Sequence, residues 1–398
     1  MKWTKWLLAT LMVLVAVQGV ATAREGAKPY QILNRLRLEW DDNIYQEKDD
    51  PTDSWKIIKE VEFRVNLNLR DQTFISLRYR PSLAYTADRE PDKTDFNHDV
   101  DLVINQEFTP RVTLSVVDTF RRGELPELEN KGVQIREEDD FIYNSLNGTL
   151  GYQFRPQTRL EVAGRYILLR YDEDIVADTE DYDLYVGGIT LRHQFIPETV
   201  VLLDLRMEGV EYEGPDRGSK SLFVGGGVEQ VFSPNFLGSA RGGYQGKEFN
   251  EEALGDTSSP YGDISLTFLP SPATRITAGA GYSMFEADVY PFANQDRTLG
   301  FVSIAYDVTA RISAYLTGSY SQGDYSADQS VDPTLVTDGD EDTLLVSARL
   351  TYQINRINWV EAGWQYTDFS SNIKNAAGDK YRVSYDRNRI SIGWKIQL

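Results

Sequence analysis

Between residues 60 and 70 the chain alternates without a fault. Val61, Phe63, Val65, Leu67 and Leu69 fall on one parity; Glu60, Glu62, Arg64, Asn66, Asn68 and Arg70 fall on the other. Two is the period of a β-strand, whose successive side chains point to opposite faces, so this stretch commits to a sheet with one apolar and one charged face. Ile312, Ala314, Leu316, Gly318 and Tyr320 repeat the pattern against Arg311, Ser313, Tyr315, Thr317 and Ser319. Residues 343–354 repeat it with Leu345 as the one exception, and Ile390, Ile392, Trp394, Ile396 and Leu398 close the chain in the same way. Residues 182–195 can be read in either register. A half-buried sheet in water alternates too, so length has to separate the two solvents. The runs are about 12 to 16 residues. Strands of soluble domains usually have roughly 5 to 6, and a tilted strand crosses a bilayer with about 9 to 11.

One phrase punctuates these runs: Phe108-Thr-Pro110, Phe154-Arg-Pro156, Phe195-Ile-Pro197, Phe232-Ser-Pro234 and Phe268-Leu-Pro270, with successive prolines 46, 41, 37 and 36 residues apart. Proline has no N–H to give a ladder and a nearly fixed φ, which places it in a turn between strands. The phenylalanine two residues earlier is then expected at the last rung of the strand. Tyr306 and Tyr352 take the same place before turns that lack the proline. Seven aromatics at one height of a closed sheet make a girdle at a membrane–water boundary, here predicted on the periplasmic side. The competing reading is a soluble sandwich or propeller with Phe-Pro corners.

Residues 1–23 read as a cleaved secretory signal. Lys2 and Lys5 precede an apolar run from Leu7 to Val17, and Ala21-Thr22-Ala23 offers a small-residue cleavage site before Arg24. No later segment approaches the roughly 20 apolar residues of a membrane helix, and the mean hydropathy is only −0.42. A barrel strand shows lipid at every second residue, so a low average is what such a wall gives. The chain has no cysteine, which excludes thiolate ligands and cysteine nucleophiles.

Eighteen strands are predicted, near 30–41, 54–70, 73–87, 96–108, 111–121, 139–154, 158–172, 181–195, 199–213, 219–232, 236–249, 259–269, 273–287, 297–308, 311–325, 342–354, 357–370 and 380–398. Sixteen result if one weak pair fails. Short turns alternate with longer connections, the asymmetry of an outer-membrane barrel, and an even count puts both termini in the periplasm. Residues 24–398 form one barrel domain, in which Arg24–Pro29 before the first strand leave no room for a plug or a further domain. An eighteen-strand barrel is wide enough for an aqueous lumen unless loops fold inward.

The long connections are acidic. Asp41, Asp42, Glu47, Asp49, Asp50 and Asp53 crowd one; Asp172, Glu173, Asp174, Asp178, Glu180, Asp181 and Asp183 crowd another; Glu137–Asp140 and Asp338–Asp342 add to them. The formal charge is −20, and loss of Lys2 and Lys5 with the signal leaves −22. A negative mouth opposes nucleic acid and phosphates as partners and favours cations or neutral solutes. None of the clusters has the spacing of a calcium loop, so a solvated acidic surface is expected, with no metal and no cofactor.

The inward parity carries charges of both signs. Glu60, Glu62, Arg64, Arg78, Arg80, Asp99, Asp101, Arg159, Glu161, Arg165, Asp204, Arg206, Arg275, Arg349 and Glu361 are predicted to line a lumen, together with Tyr315 and Trp359, whose rings would suit sugars. The bland alternative is that these charges pair between strands and merely fill the wall. Catalysis has little to work with. His98 could act as a hydrolase base only if a serine or carboxylate converged on it, and His193 sits near the girdle. Gly225-Gly226-Gly227 reads as close packing or a kink rather than a phosphate loop.

With its signal, alternating strands, aromatic turns and final Trp394-Lys-Ile-Gln-Leu398, the chain resembles bacterial outer-membrane porins over its mature length, and most nearly the group called putative β-barrel porin 2. That resemblance implies a Gram-negative outer-membrane channel passing small polar solutes, with no enzymatic activity. It also implies lipid and lipopolysaccharide as neighbours, insertion by the barrel assembly machinery, and for some members a link to polysaccharide export components. The alternative is a non-conducting barrel that scaffolds, or binds a polysaccharide or partner. Such chains usually end in phenylalanine or tryptophan; this one ends in Leu398.

Overall fold

The computed structural model describes residues 28–69, 71–123, 128–130, 133–135, 140–214, 217–375, 377–380 and 382–398. The signal segment 1–23, Arg70, and Glu137 to Asp139 of the acidic clusters lie outside them.

The strands are β1 Tyr30–Asp41, β2 Ser54–Leu69, β3 Thr73–Thr86, β4 Thr94–Thr109, β5 Val112–Gly123, β6 Leu128–Asn130, β7 Val133–Ile135, β8 Phe141–Arg155, β9 Thr158–Tyr171, β10 Tyr182–Ile196, β11 Thr199–Tyr212, β12 Ser219–Ser233, β13 Phe236–Phe249, β14 Thr257–Ser271, β15 Thr274–Glu286, β16 Asn294–Thr309, β17 Ile312–Tyr325, β18 Gly339–Gln353, β19 Asn358–Ser371 and β20 Tyr385–Gln397. β6 and β7 form a ribbon of their own. The other eighteen make one antiparallel sheet in which each strand pairs with its neighbours along the chain. Tyr30–Asp41 pairs on one side with β2 and on the other with β20, which closes the barrel and leaves no edge strand.

Strand number and order are as the alternation predicted. The boundaries differ at the long-loop end, where β20 begins at Tyr385 rather than 380 and β16 at Asn294 rather than 297. The connection 173–180, read as plain loop, holds α1, Asp174–Glu180. Its Val176 and Ala177 pack on a cluster of Phe141, Tyr143, Ile167, Leu169, Tyr171, Tyr182, Leu184 and Val210. Acidic composition hid this helix; it forms because two small apolar residues find an apolar patch to cover.

The turns also correct a detail. Ladder register shifts across Phe108, Phe154, Phe195 and Phe232, so these rings occupy bulges rather than the last paired rung. Phe268 is paired, with Ile276, and the turn follows at Pro272 and Ala273, so that Pro270 lies inside β14 instead of in the turn. A bulge adds one unpaired residue and re-aims its side chain. All seven aromatics, Tyr306 and Tyr352 included, are exposed at the short-turn end.

Which face is inside follows from reach. Arg35 on β1 meets Glu361 on β19 across the whole width of β20, at 3.1 Å. Side chains of non-neighbouring strands converge on the concave face of a closed sheet and diverge on the convex one. The charged parity is therefore the inner one, and the exposed apolar rows, such as Leu203, Leu205 and Met207 on β11, face outward. A continuous apolar outer belt of this extent is matched to lipid.

Candidate functional site: the inner wall and its inserted hairpin

On the inner face from β19 through β5, charges pair in two networks. Lys395 and Arg35 share Glu361 at 3.2 and 3.1 Å, and Arg35 also reaches Glu60 at 3.1 Å. Beside this, Arg64 and Arg78 both approach Glu62, at 2.9 and 4.0 Å, and Arg78 pairs with Asp101. Arg121 contacts Asp101 and Asp99 at 3.1 Å each, and Arg80 pairs with Asp99. A third network runs from Arg159 to Glu161 at 2.9 Å and Arg192 to Glu161 at 4.0 Å. It continues from Arg192 to Glu229 at 2.5 Å and Arg241 to Glu229 at 3.6 Å. Most of the charges picked from the alternation are thus brought together as pairs; Arg35, Arg121, Arg192, Glu229 and Arg241 are the members the sequence reading missed.

The remaining candidates stand differently. Arg165 lies on the inner face of β9 and Arg275 near the short-turn end of β15. Asp204 accepts a 2.7 Å hydrogen bond from Thr190, and the Arg206 guanidinium sits 3.8 Å over the Phe223 ring. The two aromatics singled out for sugar contact are faced by cations: Arg349 lies 4.8 Å from the Tyr315 ring and Lys395 5.1 Å from the Trp359 ring.

The barrel interior is also occupied from above. The β13–β14 ladder extends outward to Lys247 and Thr257, whereas the β14–β15 ladder stops at Gly262 and Tyr282. Past that point β15 stays paired with β16 as far as Glu286 and Asn294, but it has left β14. The freed end of the β15–β16 hairpin bends inside. Glu286 reaches Lys247 on β13 at 2.6 Å and Ser219 on β12 at 2.8 Å, and Ser283 reaches Gln245 at 3.3 Å. Both Lys247 and Glu286 are buried.

Two arginines hold the hairpin's tip. Arg217, fully buried, donates to the carbonyls of Thr179 and Phe292, pairs with Glu180 at 3.2 Å and lies over the Tyr212 ring. Arg382 donates to the Asp288 carbonyl at 2.6 Å and pairs with the Asp288 carboxylate at 3.5 Å and Glu341 at 3.3 Å. Ala287, Val289 and Phe292 pack with Tyr325 at the end of β17 and with Val336 and Ile373 from the next two long connections. No chain terminus is needed to narrow this barrel; an internal hairpin does it.

Not all of the acidic residues are solvated. Asp41 is buried between Lys56 at 2.8 Å and Arg387 at 2.7 Å, and Asp181 accepts the Tyr171 backbone N–H at 2.8 Å. Burial pushes the Asp181 carboxyl up to about 6. Elsewhere the rim remains open and negative: a hollow of about 650 Å³ is lined by Asp296, Asp324, Asp338, Asp340 and Lys374, among others. Among the described residues no group of histidines and carboxylates is arranged to hold a metal. The two histidines lie on the outer parity. His98 shares a 2.9 Å hydrogen bond with Tyr79 and His193 a 3.0 Å one with Thr158, and among the described residues no serine or carboxylate is hydrogen-bonded to either.

The comparisons agree with this geometry. No curated protein matches the sequence. The outer membrane protein OpdK from Pseudomonas aeruginosa is similar at a TM-score of 0.50 and 12% identity, over 93% of this chain and 99% of that one. Pseudomonas aeruginosa OccK2 (OpdF), solved in complex with glucuronate, is similar at 0.50 and 11%, over 93% and 98%. At these identities the likeness speaks for the fold, a closed eighteen-strand barrel. The family described as putative β-barrel porin 2 matches residues 34–398. This chain, an outer-membrane barrel with a charged interior and an apolar exterior, belongs to the putative β-barrel porin 2 family.

Proposed function

We propose that this porin-like barrel is a passive channel for small polar solutes, with the short-turn end and both termini in the periplasm and the acidic connections outside. The observation that carries the reading is the inner wall. Paired charges of both signs along β19 to β5 keep a lumen hydrated without giving it one dominant sign, and a negative rim disfavours anions at the entrance. The sequence-selected charges from Glu60 to Glu361 act in this reading as wall lining, and the seven exposed aromatics as the periplasmic girdle. Lipid and lipopolysaccharide surround the barrel, and the barrel assembly machinery inserts it.

A second reading has its own observation. The inserted β15–β16 hairpin, held by Lys247, Arg217 and Arg382, narrows the lumen as a scaffold or partner-binding barrel would require. A link to polysaccharide export components belongs to the same tier of proposal and would appear as co-purification from native membranes.

Single-channel conductance of the folded protein in planar bilayers separates the two. Salt-dependent steps with cation preference support the channel; silence from a barrel that still shows heat-modifiable mobility overturns it in favour of the scaffold.

A further inference from the structure

The inner wall from β11 to β16 is built unlike the rest. Its glycines leave space on the wall that two aromatic rings, Tyr261 and Phe301, occupy. A Cβ at Gly243 would stand 2.8 Å from Cε1 of Tyr261, and one at Gly225, a strand further on, 2.3 Å from its hydroxyl oxygen. A Cβ at Gly279 would stand 2.5 Å from Cε1 of Phe301. Register places Phe301 on the inner face, opposite Gly279 and Ser319, where it remains 38% exposed. Phe223 meets Tyr261 edge-on at 5.5 Å. Among the described residues no cation is placed over Tyr261 or Phe301, in contrast to Tyr315 and Trp359. Phe301 thus rests against the backbone at Gly279 and stays exposed, and Tyr261 is half-buried over Gly225 and Gly243 on the inner face.

The polar groups around these rings are under-used. Arg206 makes no ion pair among the described residues, and its Nε has no hydrogen-bond partner. Asp263 is exposed on the rung between Arg241 and Gly281. Among the described residues Asp204 takes its one side-chain hydrogen bond from Thr190. Arg206 and Arg241, the latter also 3.6 Å from Glu229, balance Asp204 and Asp263 in charge and offer donors and acceptors along the strip's edge.

We propose that this strip binds a neutral pyranose oligosaccharide, with Tyr261 and Phe301 as its stacking surfaces and Asp204, Arg206 and Asp263 taking its hydroxyl groups. The inference rests on the channel reading and names its substrate class. A pyranose has a face of polarised C–H bonds, which suits the negative face of an aromatic ring, and a rim of hydroxyls that both donate and accept. An anionic solute gains nothing from a strip of balanced charge, and the acidic rim repels it. The inserted hairpin sits above, since Lys247, which Glu286 meets, lies on the same face of β13 as Gly243 and four residues further outward. The site is thus enclosed on its outer side, as binding clefts are.

Equilibrium dialysis of the full, detergent-folded chain against labelled maltohexaose tests this. Saturable binding is expected, reduced about tenfold or more in Tyr261→Ala and several-fold in Phe301→Ala, and unchanged in Tyr244→Ala, which removes a ring from the outer face of β13. Heat-modifiable mobility confirms that each variant is folded. Absence of saturable binding to the folded wild type, or binding unaltered in a Tyr261→Ala/Phe301→Ala double variant, overturns the proposal. Conductance is read separately: ion current without sugar binding sinks the site and spares the channel, and Tyr261-dependent binding without current does the reverse.

Discussion

The two sides of the barrel solve the problem of an inner wall in opposite ways. From β19 round to β5, long arginines and lysines cross from strand to strand and meet carboxylates at nearly every rung, so the surface is charged and already satisfied. From β11 to β16 the wall is thin: glycine replaces side chains, aromatic rings occupy the space, and the β15–β16 hairpin fills what remains above them. A pair within a network has little left to offer a solute, whereas an unpaired guanidinium or an uncovered ring does. On the proposed reading the first side sets the electrical background of the lumen, and the second side is where the proposed ligand finds partners.

The hairpin offers the hardest test of that division. Lys247→Met leaves Glu286 buried without a counter-charge, which costs about 3–5 kcal/mol when a buried pair is broken on one side. The expected outcome is release of the hairpin, seen as a large rise in single-channel conductance and a lower midpoint of chemical unfolding. A Lys247→Met/Glu286→Leu double variant removes both charges and should recover most of the lost stability. Equal loss in both variants would show that the ion pair does not hold the hairpin.

Next in size is the glycine floor. In Gly243→Val the new Cβ would stand 2.2 Å from the Val224 carbonyl oxygen and displace Tyr261, so overpacking of about 1–3 kcal/mol is expected. Gly246→Val on the outer face of the same strand meets open space and should leave the unfolding midpoint nearly unchanged. If the two substitutions behave alike, close packing is not what those glycines supply.

A smaller effect depends on pH. Burial raises the Asp181 carboxyl from 3.8 to about 6, against the opposing pull of the Tyr171 N–H and Arg170, with Glu213 and Asp183 adding to the rise. A raised folded-state value means that the neutral form is favoured in the fold. The contribution is fully present below about 3.8 and is lost as pH climbs through about 6. Hydrogen exchange in residues 172–181 should therefore quicken between pH 4 and 7 beyond its intrinsic pH dependence, and Asp181→Asn should abolish that excess.

The smallest change is expected on the paired side. Asp101→Asn removes one carboxylate from a partly solvated network, in which such pairs contribute about 0.2–1 kcal/mol. A modest drop in cation preference, measured as a shift in reversal potential across a salt gradient, should come with little loss of stability. A collapse of the barrel would mean that this wall depends on its charges far more than their exposure suggests.

Much of this was legible in the chain. Strict alternation at Val61–Leu69, Ile312–Tyr320 and Ile390–Leu398 fixed the strands and their faces, because a period of two permits no other placement once one face must meet lipid. Phe-x-Pro turns set the hairpin lengths. Arg64, Arg78, Asp99 and Glu361 could be assigned to one face, but their partners could not, since Arg35 and Glu361 are 326 positions apart in sequence and meet only after closure. Gly225-Gly226-Gly227 announced close packing without saying what packs; Tyr261, the ring on that floor, carried no signal of its own.

Local chemistry alone thus determined the barrel: solvent on one face, lipid on the other, and turns that cannot pair. What entered the lumen was decided by tertiary structure. Bending the β15–β16 hairpin inward requires β14 and β15 to part at Gly262 and Tyr282, and requires Lys247, Arg217 and Arg382, from three separate places in the chain, to converge on it. No spacing records that convergence, because the strain of leaving one neighbour is balanced only by contacts that exist once the barrel has closed.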